Sequence, residues 1–477
     1  MSDFKALAKH SANYLAAIVA SKALVFISIP IYTRLMTVHD YGVMEIFIST
    51  IGIIHVLLTL NTEVAVSRYY YEAKDEGDFK DFVTTTVKLT SMVWAMMTLI
   101  TLAFSPILAQ ALSFPLLLTI ALIPVATYQS INSIFTQIYQ PLLQSRKIAI
   151  VTSVQAYLAF GLSVLFIILL KENKYYGYAL GTITAMVVLA VYLVRQIRPY
   201  VGKGKIQNEH VKYILNFCLP YIPYTLSGIL LAQFGKIVMS KYGGFEMAGI
   251  YSFTSNIGMM MMVLISVTNS AWNPYYLQYM TNKDYRSIDK DYNLIWRVTL
   301  VGGVALSLFG KEIGMMLGRP QYHAYLYVLP LLVLGYIFYQ WSYVYLRSTA
   351  FAKKNIWNAV AIIISGVSNI LLNIFLITRY GVIGIATSFM VSYLILLIGS
   401  YIINRYVLKQ YVPKGARFLT PLLCTLPFLG MASVLIWRTE GLDWMLMAIK
   451  AVVLFFFGGV IIWRYYSQLK LKLQHRK

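Results

Sequence analysis

Residues 33–47 read TRLMTVHDYGVMEIF, and residues 240–254 read SKYGGFEMAGIYSFT, 207 positions later. At that offset Thr33 meets Ser240, Arg34 meets Lys241, Gly42 meets Gly249 and Glu45 meets Ser252. The same offset recurs far from this stretch. Tyr14 meets Tyr221, Arg146 and Lys147 meet Lys353 and Lys354, Gly177 meets Gly384, Ala179 meets Ala386, and Arg198 meets Arg405. One such pair means little. One offset held along six apolar segments identifies a duplicated unit, residues 1–207 followed by 208–412, with 413–477 outside the duplication.

The chain has 477 residues, of which 59% are hydrophobic and only 12% charged. Soluble globular chains carry about 25% charge. Apolar runs near 20 residues recur from end to end, each long enough to cross a bilayer core. This is the pattern of an all-α polytopic membrane protein. The first run, from about 11 to 32, is too long for the apolar part of a cleavable leader and has no small-residue cleavage pattern. Cys218 and Cys424 both fall in apolar segments, which predicts free buried thiols. The net charge of +22 suits positively charged cytoplasmic loops. No soluble basic domain remains to hold a nucleic acid.

Fourteen spans are expected, at about 11–32, 42–60, 84–108, 116–143, 148–170, 177–194, 213–238, 248–270, 294–317, 326–347, 356–377, 383–404, 418–437 and 445–464. With the N-terminus inside, the cytoplasmic connections hold 29 of the 40 Lys and Arg residues and the outer connections 9. That bias places both termini in the cytoplasm. Six spans per copy is an even number, so both copies enter the membrane from the same side. Such parallel repeats, related by an axis along the membrane normal, are a transporter pattern, with the substrate path between the copies. A duplication that merely enlarges a scaffold is the bland alternative.

The second span decides between them. At the helical period, Glu45, Ser49, Gly52, Thr59 and Glu63 fall in an arc of about 80°, with His55 beside it and apolar residues opposite. At the repeat offset these become Ser252, Asn256, Thr59's partner Ser266, and Ser270. The polar stripe is kept and the acids are lost. The first span agrees: Tyr14, Lys22 and several hydroxyl residues share a face. An ammonium facing lipid at mid-span costs about 2.5–3.5 kcal/mol on insertion scales. Lys22 therefore faces either a wet cavity or an ion-pair partner, Glu45 or Glu63. In the seventh span Tyr221, Thr225 and Lys236 share a face, although Lys236 is close enough to an outer end to snorkel. Arg34 and Lys241 flank outer turns and suit either headgroups or substrate. Lys450 reads as a snorkelling lysine, and the acidic run from Glu72 to Asp81 as a solvated cytoplasmic connection.

Three stretches carry a family resemblance: IPIYTRLMTVHDYG, MSKYGGFEMAGIYSF and RYGVIGIATSFMVSYL. They resemble the Wzx-type polysaccharide flippases of the multidrug/oligosaccharidyl-lipid/polysaccharide (MOP) superfamily, over essentially the whole chain. The resemblance implies two six-helix lobes around a central cavity and alternating access. It implies export of a polyprenyl-diphosphate-linked glycan across a bacterial cytoplasmic membrane, for O-antigen, capsule or exopolysaccharide. Membrane lipids, and polysaccharide polymerase or assembly proteins, are the partners it implies. The fourteen-span form is also similar to lipid II flippases. The chain departs from the family at one place. Where members often carry an Asp-Arg pair, this sequence has Gly235–Lys236.

Two other functions compete. A cation-coupled exporter of small organic molecules, the other large branch of the superfamily, needs an acidic cavity. A membrane enzyme needs convergent acid, base or nucleophile groups, and the six His residues are scattered. The expected substrate-facing set is Lys22, Lys236, Arg34, Lys241, Glu45, Ser49, Thr59, Glu63, Ser252, Asn256, Ser266, Tyr14 and Tyr221. No cofactor or metal is expected, and the coupling ion is either H+ or Na+.

Overall fold

The computed structural model describes residues 24, 26–413, 416–438, 441 and 443–474, without the side chains of 416, 417 and 462–474. Among these residues the chain is helical, with no strand. Ten helices or helical runs are long and apolar enough to cross a membrane. An eleventh is obtained if Tyr285–Leu308 and Gly310–Leu317, bent by 61°, form one span. Length and apolarity thus do not return a count of fourteen. The first expected span lies mostly outside the described residues. Two runs, Asn208–Thr281 and Asn355–Val407, each hold more than one expected span. Within these runs single glycines with positive φ, Gly244 (φ 77°) and Gly381 (φ 54°), turn one helix into the next. Only a residue without Cβ takes that conformation cheaply, so helices meet with almost no loop.

The chain packs as two compact units, Met1–Gly249 and Ile250–Lys477. The duplication boundary expected at 207/208 concerns ancestry, whereas this one reflects packing. Residues 208–249 fall with the first unit.

In the first unit the helix Val38–Thr59 (α1) lies innermost. Its apolar window is 72% buried, against 11% for Glu76–Ala103 (α2), which turns Met92, Met96 and Leu99 outward. Thr37 caps α1 by accepting from the Asp40 amide, and Asp40 in the first turn suits the positive helix end. Leu116–Tyr139 (α3), Ser145–Leu169 (α4) and Tyr175–Ile197 (α5) complete the apolar part of the unit. Asn208–Cys218 (α6) leads into Tyr221–Gly258 (α7), broken at Gly244.

The second unit repeats this order. Asp75 caps α2, and Asp284 caps Tyr285–Leu308 (α8) in the same way. After α2 the chain turns at Phe104 (φ −96°, ψ 7°) into the helix Ser105–Leu112. After α8 it turns at Phe309 (φ −94°, ψ 7°) into Gly310–Leu317 (α9). The core of this unit is aromatic. Trp296, Trp341 and Phe418 lie with ring centroids 5.3–6.0 Å apart, and the Trp296 indole donates to the Phe418 carbonyl at 3.2 Å. That cluster ties Ala416–Arg438 (α10) to the unit.

Two expectations are overturned here. Lys450, on Trp444–Gln474 (α11), does not snorkel. It is 1% exposed and its ammonium sits 2.7 Å from Glu312 of α9. The bend at Phe309 carries the acid to it, and a buried ammonium needs a countercharge. Cys218 is buried as expected, but Cys424 is exposed. Both thiols are free.

Candidate functional site

The polar stripe on α1 meets the first half of α7. Glu45 lies against Lys236, Ser49 against Gln233, and Gly52 against Ile229. Residue numbers rise on one helix as they fall on the other, so the two run antiparallel. A glycine contact holds them together beyond this register. A Cβ on Gly42 would stand 1.8 Å from the Phe245 carbonyl oxygen, and one on Gly249 would stand 2.6 Å from that of Val38. Gly42 and Gly249 are the repeat-related pair of the opening stretch, and each leaves room for the other's backbone.

At this end of the stripe the Lys236 ammonium donates to Glu45 Oε2 at 2.9 Å. The side chains are only 8% and 7% exposed. Lys236 therefore does not snorkel. The acid that Gly235 fails to supply next to it in sequence comes from α1, 191 residues away. Ser49 continues the stripe one turn on, its hydroxyl 3.2 Å from Gln233 Oε1 and 2.8 Å from the Glu45 carbonyl oxygen.

The other end of α1 is built differently. Leu60 and Asn61 both take left-handed conformations, with φ 49° and 53°. Such residues cost about 1–3 kcal/mol each. The turn folds Glu63 back under the helix, where it is 0% exposed. Its Oε1 lies 3.3 Å from His55 Nε2 and 3.4 Å from the Thr59 hydroxyl. Its Oε2 has no hydrogen-bond partner, nor has the buried side-chain Nδ2 of Asn61, whose backbone N–H donates to the Thr59 hydroxyl at 3.2 Å. Close by, the Thr62 hydroxyl meets that of Thr90 at 2.7 Å, and the Cys218 thiol points at the Thr62 carbonyl at 3.6 Å.

Of the remaining expected residues, Lys22 and Tyr14 lie outside the described residues. Arg34 and Lys241 are exposed, and the Arg34 guanidinium reaches the Pro30 carbonyl at 3.1 Å. Thr59 is fully buried. Tyr221, at the start of α7, is half-buried, its ring stacked on Phe217 of α6 and tilted against Tyr224. In the second unit Ser252 is fully buried with its hydroxyl unpartnered, and Asn256 is buried. Ser266 is half-buried, its hydroxyl donating to the Met262 carbonyl at 2.6 Å.

Sequence reasoning missed Gln233 and the contact of His55 with Glu63. It also missed the reciprocal amide pair of Asn269 and Gln340, at 2.9 and 3.2 Å. The signal that would have found the amide pair is a carboxamide in the middle of each of two apolar runs, since buried amides seek partners. The acidic connection is mostly exposed, as expected, with Asp78 half-buried. Asp78 receives the Tyr69 hydroxyl at 3.1 Å, the Lys74 amide at 3.0 Å, and lies 3.4 Å from His210. Burial first, and then Asp78, push the Tyr69 hydroxyl up to about 12, so it stays a donor. Among the described residues no three His, Cys, Asp or Glu side chains gather as a metal site.

Residues 7–280 match the model of the family described as polysaccharide biosynthesis protein. A curated relative, the Lsg locus putative protein 1 of Haemophilus influenzae, is 23% identical over 289 residues, covering 58% of this chain and 67% of its own. Among solved structures, the lipid II flippase MurJ in an inward closed conformation superposes with a TM-score of 0.72 at 13% identity, over 96% of this chain and 99% of that one. An inward-facing multidrug resistance MATE family transporter of the MOP superfamily gives 0.63 at 15% identity, over 81% and 96%. At such identities these structures show a shared fold. With the family match covering more than half its length, the chain belongs to the polysaccharide biosynthesis protein family, on the fold of the MOP-superfamily flippases and transporters.

Proposed function

We propose that this protein moves a polyprenyl-diphosphate-linked oligosaccharide from the inner to the outer leaflet of a bacterial cytoplasmic membrane by alternating access. The supporting observation is the buried Glu45–Lys236 pair on a polar stripe in a family tied to polysaccharide synthesis. A diphosphate cannot enter hydrocarbon unpaired. Lys236 offers a cation inside the protein that is already held by an exchangeable carboxylate. The diphosphate displaces Glu45 from the ammonium, and Ser49 and Gln233 offer hydrogen bonds to sugar hydroxyls. The proposed substrate-facing set keeps Lys22, Tyr14, Tyr221, Ser252, Asn256 and Ser266, with Arg34 and Lys241 at the entrance. Glycan polymerase or assembly proteins are the proposed partners, and both termini are placed in the cytoplasm.

Two related substrates have support. The MurJ fold match favours a lipid II-like cargo, which shares the polyprenyl diphosphate. The MATE match and the buried acids Glu45 and Glu63 favour a cation-coupled exporter of small organic molecules. Complementation of surface polysaccharide in a deletion strain separates them, with membrane abundance checked by blot. Lys236→Ala and Lys22→Ala should each abolish export, and the arginine variants should keep part of it. Full export by Lys236→Ala at normal abundance overturns the diphosphate role of Lys236. Normal surface glycan in the deletion strain itself overturns the flippase reading.

A further inference from the structure

We propose that a groove between α2, α3 and α5 is a binding site for one anionic phospholipid. The groove has a volume of about 680 Å³, and its lining includes Trp94 of α2, Tyr128 of α3, and Met186, Val191 and Arg195 of α5. Ligand sites commonly enclose about 300–1,000 Å³. Its lining is almost wholly apolar. Along α5 it runs from Met186 to Arg195, about 14 Å at the helical rise. A hydrocarbon core is about 30 Å thick, so the groove is about as deep as one leaflet. That depth suits one acyl chain with its headgroup at Arg195.

Two polar features separate this groove from an ordinary lipid-facing helix surface. The first is charge. Arg195 is the one charged residue in the lining, exposed near the C-terminal end of α5. Arg146 and Lys147 at the start of α4 lie at the same end, where Lys147 donates to Gln196, and Arg198 follows α5 directly. Between Leu116 and Gln207 the one acid in the sequence is Glu172, at the opposite end of α5. The orientation proposed above puts the basic end on the cytoplasmic side. Basic pockets between helices on that side suit the phosphates of anionic lipids, which that leaflet carries. The second feature is Tyr128. It is 2% exposed and its hydroxyl has no hydrogen-bond partner. A buried donor left without an acceptor is destabilising, and a lipid ester carbonyl supplies one. The Trp94 indole is already satisfied by the Thr127 hydroxyl at 2.8 Å, so its ring offers the acyl chain an apolar wall.

The occupant follows from these features. A zwitterionic lipid would bring an ammonium to an end that already gathers arginines and a lysine. A polyprenyl carrier chain is much longer than the groove. An anionic phospholipid meets both limits, its phosphate at Arg195 and an ester carbonyl at Tyr128. Its place in the structure is that of a filler. The apolar window of α2 is 11% buried, against 50% for α3 and 44% for α5. A lipid lying along Trp94 joins the thinly packed helix to the other two.

The test uses the purified full chain, delipidated in detergent, and counts added lipids by native mass spectrometry. The chain should hold one phosphatidylglycerol about tenfold more tightly than phosphatidylcholine, the size of one hydrogen bond to a charged group. Arg195→Gln should remove that preference. Tyr128→Phe should weaken both lipids alike, by about threefold, because both carry ester carbonyls. Val191→Trp fills the groove and should abolish retention. Val188→Trp, at an exposed position outside the lining, should leave it unchanged. Equal affinity for the two lipids in the parent chain overturns the proposal, as does an unchanged result in Arg195→Gln, Tyr128→Phe or Val191→Trp. Loss in Val188→Trp would assign the lipid to the general coat of the protein and overturns it too. So does displacement by equimolar polyprenyl phosphate, which would make the groove a carrier-lipid site. No glycan enters the measurement, so its failure leaves the flippase reading standing, and failed complementation leaves the lipid site standing.

Discussion

The two ends of α1 each bury one glutamate, and each glutamate has a different kind of base. Glu45 has Lys236 at 2.9 Å, while Glu63 has His55 at 3.3 Å. Glu63 folds back beside His55, which stands ten residues along α1 from Glu45, about 15 Å at the helical rise. The first pair joins α1 to α7 across 191 positions of sequence. The second joins residues eight positions apart, on either side of the left-handed turn at Leu60 and Asn61. One helix thus carries a pair set by a distant helix at one end and a pair set by its own turn at the other. Among the described residues a third buried pair, Glu312–Lys450 at 2.7 Å, fastens a short bent helix to the last one.

The strongest way to break the comparison is to spoil the packing that places Glu45. Gly42→Val would drive a side chain into the Phe245 carbonyl, 1.8 Å from its Cβ. Overpacking against side chains costs about 1–3 kcal/mol, and backbone yields less. Gly42→Val should therefore not accumulate as folded protein. Gly430→Ala, where a Cβ meets nothing within 4 Å, should accumulate normally, as size-exclusion profiles in detergent would show.

A smaller effect follows from removing one partner of the Glu45–Lys236 pair. Glu45→Ala takes the carboxylate away from a buried ammonium, and breaking a buried pair in this way costs about 3–5 kcal/mol. Glu45→Leu with Lys236→Met removes both charges and should recover most of that stability by thermal melting, while export stays lost. Recovery of export in the double variant would show that the pair serves packing alone. The corresponding double variant at Glu312 and Lys450, Glu312→Leu with Lys450→Met, should recover both stability and export.

The smallest effect on stability is expected at Glu63. Glu63→Gln keeps the contacts to Thr59 and His55 and removes a buried charge, so the melting temperature should move by no more than the equivalent of about 1 kcal/mol. A collapse of the folded protein would instead make Glu63–His55 as structural as the pair at Glu312.

What could be read from the residues was whatever repeats locally. The apolar runs, the constant offset and the arc of Glu45, Ser49, Thr59 and Glu63 are all sequence periodicities, and helical geometry turns a period into a face without help from the rest of the chain. That both thiols are free followed from the same reasoning. Partner choice did not. Lys236 looked like a residue near an outer end, and the nearest acid in sequence was missing. Glu45 reached it because Gly42 and Gly249 let two backbones approach within van der Waals contact.

Lys450 likewise looked like a snorkelling lysine until the bend after Phe309 brought Glu312 to it. Cys424 stood in an apolar run, and apolar sequence alone does not say which face of a helix meets protein and which lies outside it. His55 fell beside the stripe, and nothing in the period revealed that a left-handed turn would bring Glu63 back to it. The sequence by itself determined the membrane-spanning class and which face of α1 is polar, because those depend on neighbours within a few turns. Only the tertiary structure decided which base meets which acid. Such a pairing joins residues as far as 191 positions apart, and its strength depends on burial that no local pattern encodes.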